Sequence, residues 1–130
     1  MTYKTEFMSF AIQRGKEARA QEWMDMLRQH HADCVKTLDR EAMHFESIFR
    51  SAVNGVTYLS WFSVQGAAGA HVASSPFAVD QLHLAFWEEC VDRSAPPLQF
   101  EHVISFIPPS VLAAIEDREQ LISSTAARSA

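Results

Sequence analysis

The stretch Val53-Asn54-Gly55-Val56 limits the possible folds of this chain more than any other. It separates two runs of strand-forming residues, His44 to Ala52 and Thr57 to Gln65. Asn-Gly between two such runs marks a tight antiparallel hairpin, because both residues tolerate the positive φ that the turn requires. A hairpin leaves unpaired edges, so the rest of the chain must supply more strands and a cover for at least one face.

The flanking sequence supplies both. Tyr3 to Ile12 is aromatic-rich and β-compatible, and Arg14-Gly15-Lys16 turns the chain. From Glu17 the period becomes helical, with Ala20, Trp23, Met24, Leu27 and His31 on one face. Asp33 reads as the cap of a second short helix running to Ala42. After the hairpin, Gly66 to Ala70 forms a small-residue connection, and Ser75-Pro76 starts a third helix. Pro96-Pro97 precedes a last strand, Gln99 to Ile107. Pro108-Pro109-Ser110 then opens a terminal helix to about Ile122, before a tail expected to fray.

The order β-α-α-β-β-α-β-α is that of an α+β fold. With the two short helices in one crossover, it is the split β-α-β pattern of a ferredoxin-like sandwich with a four-stranded antiparallel sheet and an extra C-terminal helix. Residues 1–108 would form the domain, and residues 109–130 the added helix and tail.

Charge and composition narrow the partners. Of the 130 residues, 48% are apolar and 21% charged, the balance of one globular domain. The net charge of −5, from 11 basic and 16 acidic side chains, offers no positive stripe for nucleic acid and nothing to draw the chain to an anionic membrane. No apolar run reaches the ~20 residues of a membrane span, and the start lacks a secretion-signal layout, so a cytoplasmic location is expected. Cys34 and Cys90 sit in apolar helical patterns as reduced core thiols do.

Neither sheet face alternates cleanly between apolar and polar residues. Phe45, Ser47 and Phe49 suit a helix-covered face, with His44, Glu46, Ile48 and Arg50 opposite them. The next strand carries Tyr58, Phe62 and Val64 on one side, with Leu59, Trp61 and Ser63 on the other. With both faces largely apolar in so short a chain, a homodimer is the simplest cover.

Three strings carry a resemblance: Glu46-Ser47-Ile48-Phe49, Tyr58-Leu59-Ser60-Trp61, and His83-Leu84-Ala85-Phe86-Trp87-Glu88-Glu89-Cys90. Over roughly Thr5 to Pro108 the chain resembles an uncharacterised family of small bacterial proteins within the dimeric α/β-barrel superfamily. That resemblance implies two ferredoxin-like sheets facing each other across a pocket. Cofactor-independent monooxygenases, polyketide cyclases, haem-degrading enzymes, mutarotases and ligand sensors share the architecture, which therefore limits the chemistry without selecting it.

His83 is the first candidate catalytic residue. Three positions after Asp80 and four before Trp87, it shares a helix face with aromatics, and an imidazole near neutral pKa both takes and gives a proton. The competing reading is a packed histidine bonded to a backbone carbonyl. Glu46, mid-strand among aromatics, is the second candidate acid–base group; its alternative is a surface ion pair with Arg50. Trp61, Tyr58 and Trp87 are candidate ligand-binding walls, although Tyr58 and Trp61 have opposite strand parity, which favours Trp61 for the cavity and places Tyr58 under the helices.

His44 with Glu46, and His102 on the last strand, extend the polar ligand-binding set, but two ligands at i, i+2 without a convincing third do not make a metal site. His30-His31 suits a helix C-terminus, and His71 lies in the small-residue loop. Phosphate-binding glycine loops and a nucleophile-elbow motif are absent. The expectation is a pocket between sheet and helix that holds a small apolar or aromatic organic molecule. There His83 and Glu46 would perform isomerisation, cyclisation or oxygenation without a cofactor. The competing expectation is a non-catalytic binding or interaction module, with haem held by His83 a third possibility.

Overall fold

A computed structural model describes residues 3–66 and 75–129, the side chains of residues 125–129 excepted. The elements run β1 (Tyr3–Ala11), α1 (Glu17–Gln29), α2 (His31–Arg40), β2 (Met43–Val53), β3 (Val56–Gly66), α3 (Ala78–Cys90), β4 (Leu98–Gln99) and α4 (Pro109–Ser129). The small-residue connection and His71 lie outside the described residues.

The strands form one antiparallel sheet in the order β2-β3-β1-β4. Asn54 and Gly55 take φ of 52° and 77°, as the hairpin turn demands. Long ladders tie β3 to β1 and to β2, so β3 lies inside the sheet.

The helices cover the face that carries Phe10, Leu59, Trp61 and Ile48, because that face adjoins the deepest packing. Trp23 of α1 is wholly buried, together with Leu59, Cys90, Ile12 and Ala20. Its ring lies 5.6 Å from Trp61, 5.9 Å from Trp87 and 6.4 Å from Phe86. A tryptophan buried this fully removes ~150–250 Å² from water, which favours folding by about 4–6 kcal/mol before entropy is counted. On the outside, Glu89 of α3 holds Lys16 at 3.2 Å and Arg19 at 3.0 Å, half-exposed pairs that contribute little stability.

Several sequence expectations need correction. Phe45 and Phe49 do not lie under the helices; they are 52% and 56% exposed on the opposite face. Tyr58 shares that face, since it pairs with Ser51 and Ala11 in the same register parity. Both faces carry aromatics, so strand parity alone could not choose which one the helices take. His44 does not share a face with Glu46: the register shifts between Met43 and Phe45, and this bulge turns His44 away.

The last strand is also shorter than expected. Only Leu98 and Gln99 pair, with Ser9 and Met8, and residues 100–107 leave the sheet. β-Propensity expresses fit to a half-buried pleated surface, which this segment does not find: Val103 and Phe106 are 86% and 87% exposed. By contrast α4 runs longer than expected, to Ser129, and after Pro109 its sequence holds neither proline nor glycine. Helix α2 starts at His31 rather than after Asp33, and α3 starts at Ala78, two residues past Pro76. Ser75 still serves its approach, accepting the Phe77 N–H at 3.1 Å.

A carboxylate-lined cavity between sheet and helices

The candidate site is a cavity of about 1420 Å³ between the sheet and helices α1, α2 and α3. It exceeds the ~300–1,000 Å³ of a typical small-ligand pocket, so it has room for a ligand and water. Two periodicities build it. Strand parity brings Glu46, Ile48, Trp61 and Ser63 to its floor; helical spacing brings Asp80, His83 and Trp87 of α3 to one wall. Cys34, Leu38 and Glu41 come from α2 and its end.

Glu41 reaches the cavity because the chain turns sharply after α2. Ala42 takes φ 51°, its carbonyl accepts the Gly66 N–H at 2.7 Å, and it is completely buried. A residue with a Cβ in this left-handed conformation costs about 1 kcal/mol, a strain that the hydrogen bond and burial offset.

His83 is held by a tryptophan. The Trp23 indole N–H donates to Nδ1 of His83 at 3.0 Å, with the rings 5.3 Å apart. An indole nitrogen only donates, so Nδ1 must be the bare nitrogen and the neutral ring carries its proton on Nε2. Burial lowers the His83 pKa, and Asp80 opposes that only in part. The ring is therefore a neutral N–H donor at working pH, rather than a general base. Its Nε2 also has no free lone pair for a metal or haem iron while the Trp23 bond stands.

Four carboxyl groups line the same space, those of Glu6, Glu41, Glu46 and Asp80. Burial, reinforced by the nearby charges of Glu46 and Asp80, pushes the Glu41 pKa up to about 7; Arg40 opposes the shift. Glu46 is also raised, first by burial and then by Asp80. Glu46 is nevertheless exposed to water where it lines the cavity, which limits how far burial raises it. Asp80 is only 6% exposed, and its Oδ2 is buried without a hydrogen-bond partner. Arg50 does not pair with Glu46; it bonds the Gln21 side chain instead. Ser63, buried between Glu6 and Glu46 in the strand register, accepts from Gln65 Nε2 at 2.8 Å.

Of the residues singled out in the sequence, His83, Glu46, Trp61 and Trp87 meet at this cavity. Tyr58, His44 and His102 do not line it. Tyr58 is on the far face by strand parity, and His102 is exposed and bonded to Ser105 at 2.8 Å. The bulge sends His44 toward α4, where its Nε2 meets Glu119 at 2.6 Å and its Nδ1 meets Arg118 at 2.8 Å. Among the described residues no three His, Cys, Asp or Glu side chains are grouped to hold a metal ion. Burial raises the pKa of both Cys34 and Cys90, which keeps them as thiols.

Sequence reasoning missed Trp23 and Glu41 and gave Asp80 only a supporting role. Asp80 was findable, since its spacing of three from His83 and seven from Trp87 puts all three on one stripe. Glu41 was not, because its direction depends on the left-handed turn at Ala42, which an alanine does not announce.

Fold and cavity together define an α+β protein whose helix-covered sheet face encloses an acidic, tryptophan-walled cleft. A family model described as a family of unknown function (DUF6176) matches residues 3–111, and the chain belongs to that family. No curated protein matches it.

Proposed function

We propose that this cavity binds a small apolar or aromatic molecule and moves a proton on it without a cofactor. The observation that supports this most is the convergence of a neutral imidazole donor and raised-pKa carboxyls on one tryptophan-walled space. A carboxylate and a neutral imidazole in one cleft can act at the same pH, the carboxylate as base and the ring N–H as donor. Glu46 takes the role of base: it accepts a proton from a carbon next to a substrate carbonyl, and the C–H electron pair moves onto the carbonyl oxygen. His83 donates its Nε2–H to that oxygen and so stabilises the developing charge. Returning the proton to a different atom completes an isomerisation; attack by the carbanion within the substrate makes a cyclisation.

The strand order supports a ferredoxin-like subunit of the dimeric α/β-barrel type, working as a cytoplasmic homodimer through the face opposite the cavity. Neither nucleic acid nor membrane enters this reading. The second reading is a non-catalytic binding or interaction module, favoured by the tight Trp23–His83 bond, which a purely structural histidine would also make.

Proton exchange separates the two. The benzylic ketone 2-tetralone, followed by proton NMR in D2O, is expected to lose its α-protons faster with the protein than in buffer. Glu46→Gln should slow the protein-dependent exchange on the order of 10²-fold while leaving the fold intact. Exchange at the buffer rate, or an undiminished rate in Glu46→Gln, would give the module reading the case.

A further inference from the structure

Asp80 poses the sharpest electrostatic question in the molecule. It is 94% buried, reading from its 6% exposure, and one of its oxygens has no partner. Among the described residues no basic side chain is hydrogen-bonded or ion-paired to it. Of the basic residues lining the cavity, Arg28 turns to Asp25 and Arg50 to Gln21, while Lys4 and His31 make no ion pair with Asp80. The charges acting on Glu46 and His83 come from Asp80 alone, and those acting on Cys34 are all acidic. Glu41 is opposed by a basic neighbour, Arg40.

A buried carboxylate without a counter-charge costs several kcal/mol, and a binding site can retain one because its ligand brings the missing cation. A bare metal ion does not suit the donors, since no three candidate ligands are grouped among the described residues. An ammonium on an apolar body does. Its charge sits on one atom that a single carboxylate can satisfy, and Trp61 and Trp87, 5.3 Å apart, offer ring faces to both the cation and the body behind it.

We infer that the cavity takes an organic cation, an ammonium carried on a small aromatic or apolar body, with the ammonium against Asp80 and the body against Trp61 and Trp87. This rests on the cavity's being the binding site proposed above, and it names the class of molecule bound there. Asp80 then anchors the ligand, which leaves Glu46 free for proton transfer.

Three probes of similar size test the inference: phenethylammonium, 2-phenylethanol and phenylacetate, titrated against tryptophan emission of the full chain. Phenethylammonium should bind at least about tenfold more tightly than the alcohol, and phenylacetate weakest. Asp80→Asn, which keeps the side-chain shape and removes the charge, should bring cation and alcohol to within about twofold. Equal or tighter binding of the alcohol or the acid in the wild-type chain overturns the inference, as does a cation preference that survives in Asp80→Asn. Binding of none of the three also overturns it. The wild-type comparison stands even if the variant fails to fold. Ketone exchange dependent on Glu46, with no preference for the cation, would leave the proton-transfer reading intact and remove only the ligand class. A cation preference without exchange would do the reverse.

Discussion

His83 illustrates how one hydrogen bond decides what a residue can do. Read from helical spacing it is an acid–base group, able to take or give a proton; in the structure the Trp23 indole occupies Nδ1 and makes it a donor. Asp80 and His83 interact through charge alone, which nudges the imidazole pKa up while burial drives it down further. Trp23→Phe keeps most of the ring packing and deletes that N–H. The bond favours the neutral ring, so its loss should raise the His83 pKa toward the ordinary histidine value. Stability should fall by about 1–3 kcal/mol, because the smaller ring leaves part of a fully enclosed site unfilled. NMR of the imidazole nitrogens across a pH titration, with urea denaturation alongside, checks both effects. An Nδ1–H tautomer in the wild-type chain, or an unmoved titration midpoint in the variant, would contradict the donor assignment.

At the scale of elements, the connection between α4 and the sheet depends on a glycine. Gly66 ends β3 with ordinary backbone angles, yet a Cβ there would run into the Glu119 carboxylate. That carboxylate cannot simply swing aside: it is fixed 2.6 Å from His44, and the two side chains are 10% and 3% exposed. Arg118 extends the seam to Asp39 at 2.5 Å. Gly66→Ala should therefore break the His44–Glu119 contact and loosen α4, at a cost of about 1–3 kcal/mol. Amides in the α4 turn around Glu119 should exchange faster with deuterium, and the same glycine change in a Glu119→Ala background should be nearly neutral. Equal exchange in Gly66→Ala and wild type would show that α4 docks by other contacts.

None of this seam was visible in the sequence. Periodicity located β1, the Asn54-Gly55 hairpin and the inward stripe of α3, because those depend on spacing that each segment carries within itself. The bulge at His44, the left-handed Ala42 and the early exit of the chain after Gln99 depend on long-range partners. They accordingly moved His44 and His102 away from the cavity and brought Glu41 into it. The assignment of sheet faces failed for a related reason: with Phe45, Phe49 and Phe62 on one side and Trp61 and Leu59 on the other, hydrophobicity was balanced. Burial of Trp23, a contact between distant segments, settled it.

At the scale of the whole molecule, the helix-free side of the sheet carries an apolar surface that a single chain does not cover. Phe7 stacks on Phe100 with centroids 4.7 Å apart and meets Phe49 at 6.5 Å, while Phe45 packs edge-on against Phe62. These rings shelter the Ser9–Ser60 hydroxyl pair, 2.5 Å apart, which gives the face a buried polar centre beneath an exposed apolar rim. On the segment that leaves β4, Ile104 and Phe106 are also exposed, at 64% and 87%. A standard interface takes roughly 800 Å² from each partner, and exposed apolar patches of several hundred Å² on one chain mark association surfaces. A second copy offers the same face, and two such sheets can pack about 10 Å apart with interleaved side chains. The cavity lies on the other side, so dimerisation would leave its residues in place. Sedimentation of the wild-type chain at micromolar concentration is expected to give a two-chain particle, and Phe49→Glu, which sets a charge in the middle of the patch, a one-chain particle with the cavity's probe binding unchanged. A wild-type chain that sediments as a monomer, or a Phe49→Glu variant that stays dimeric, would rule this face out as the interface.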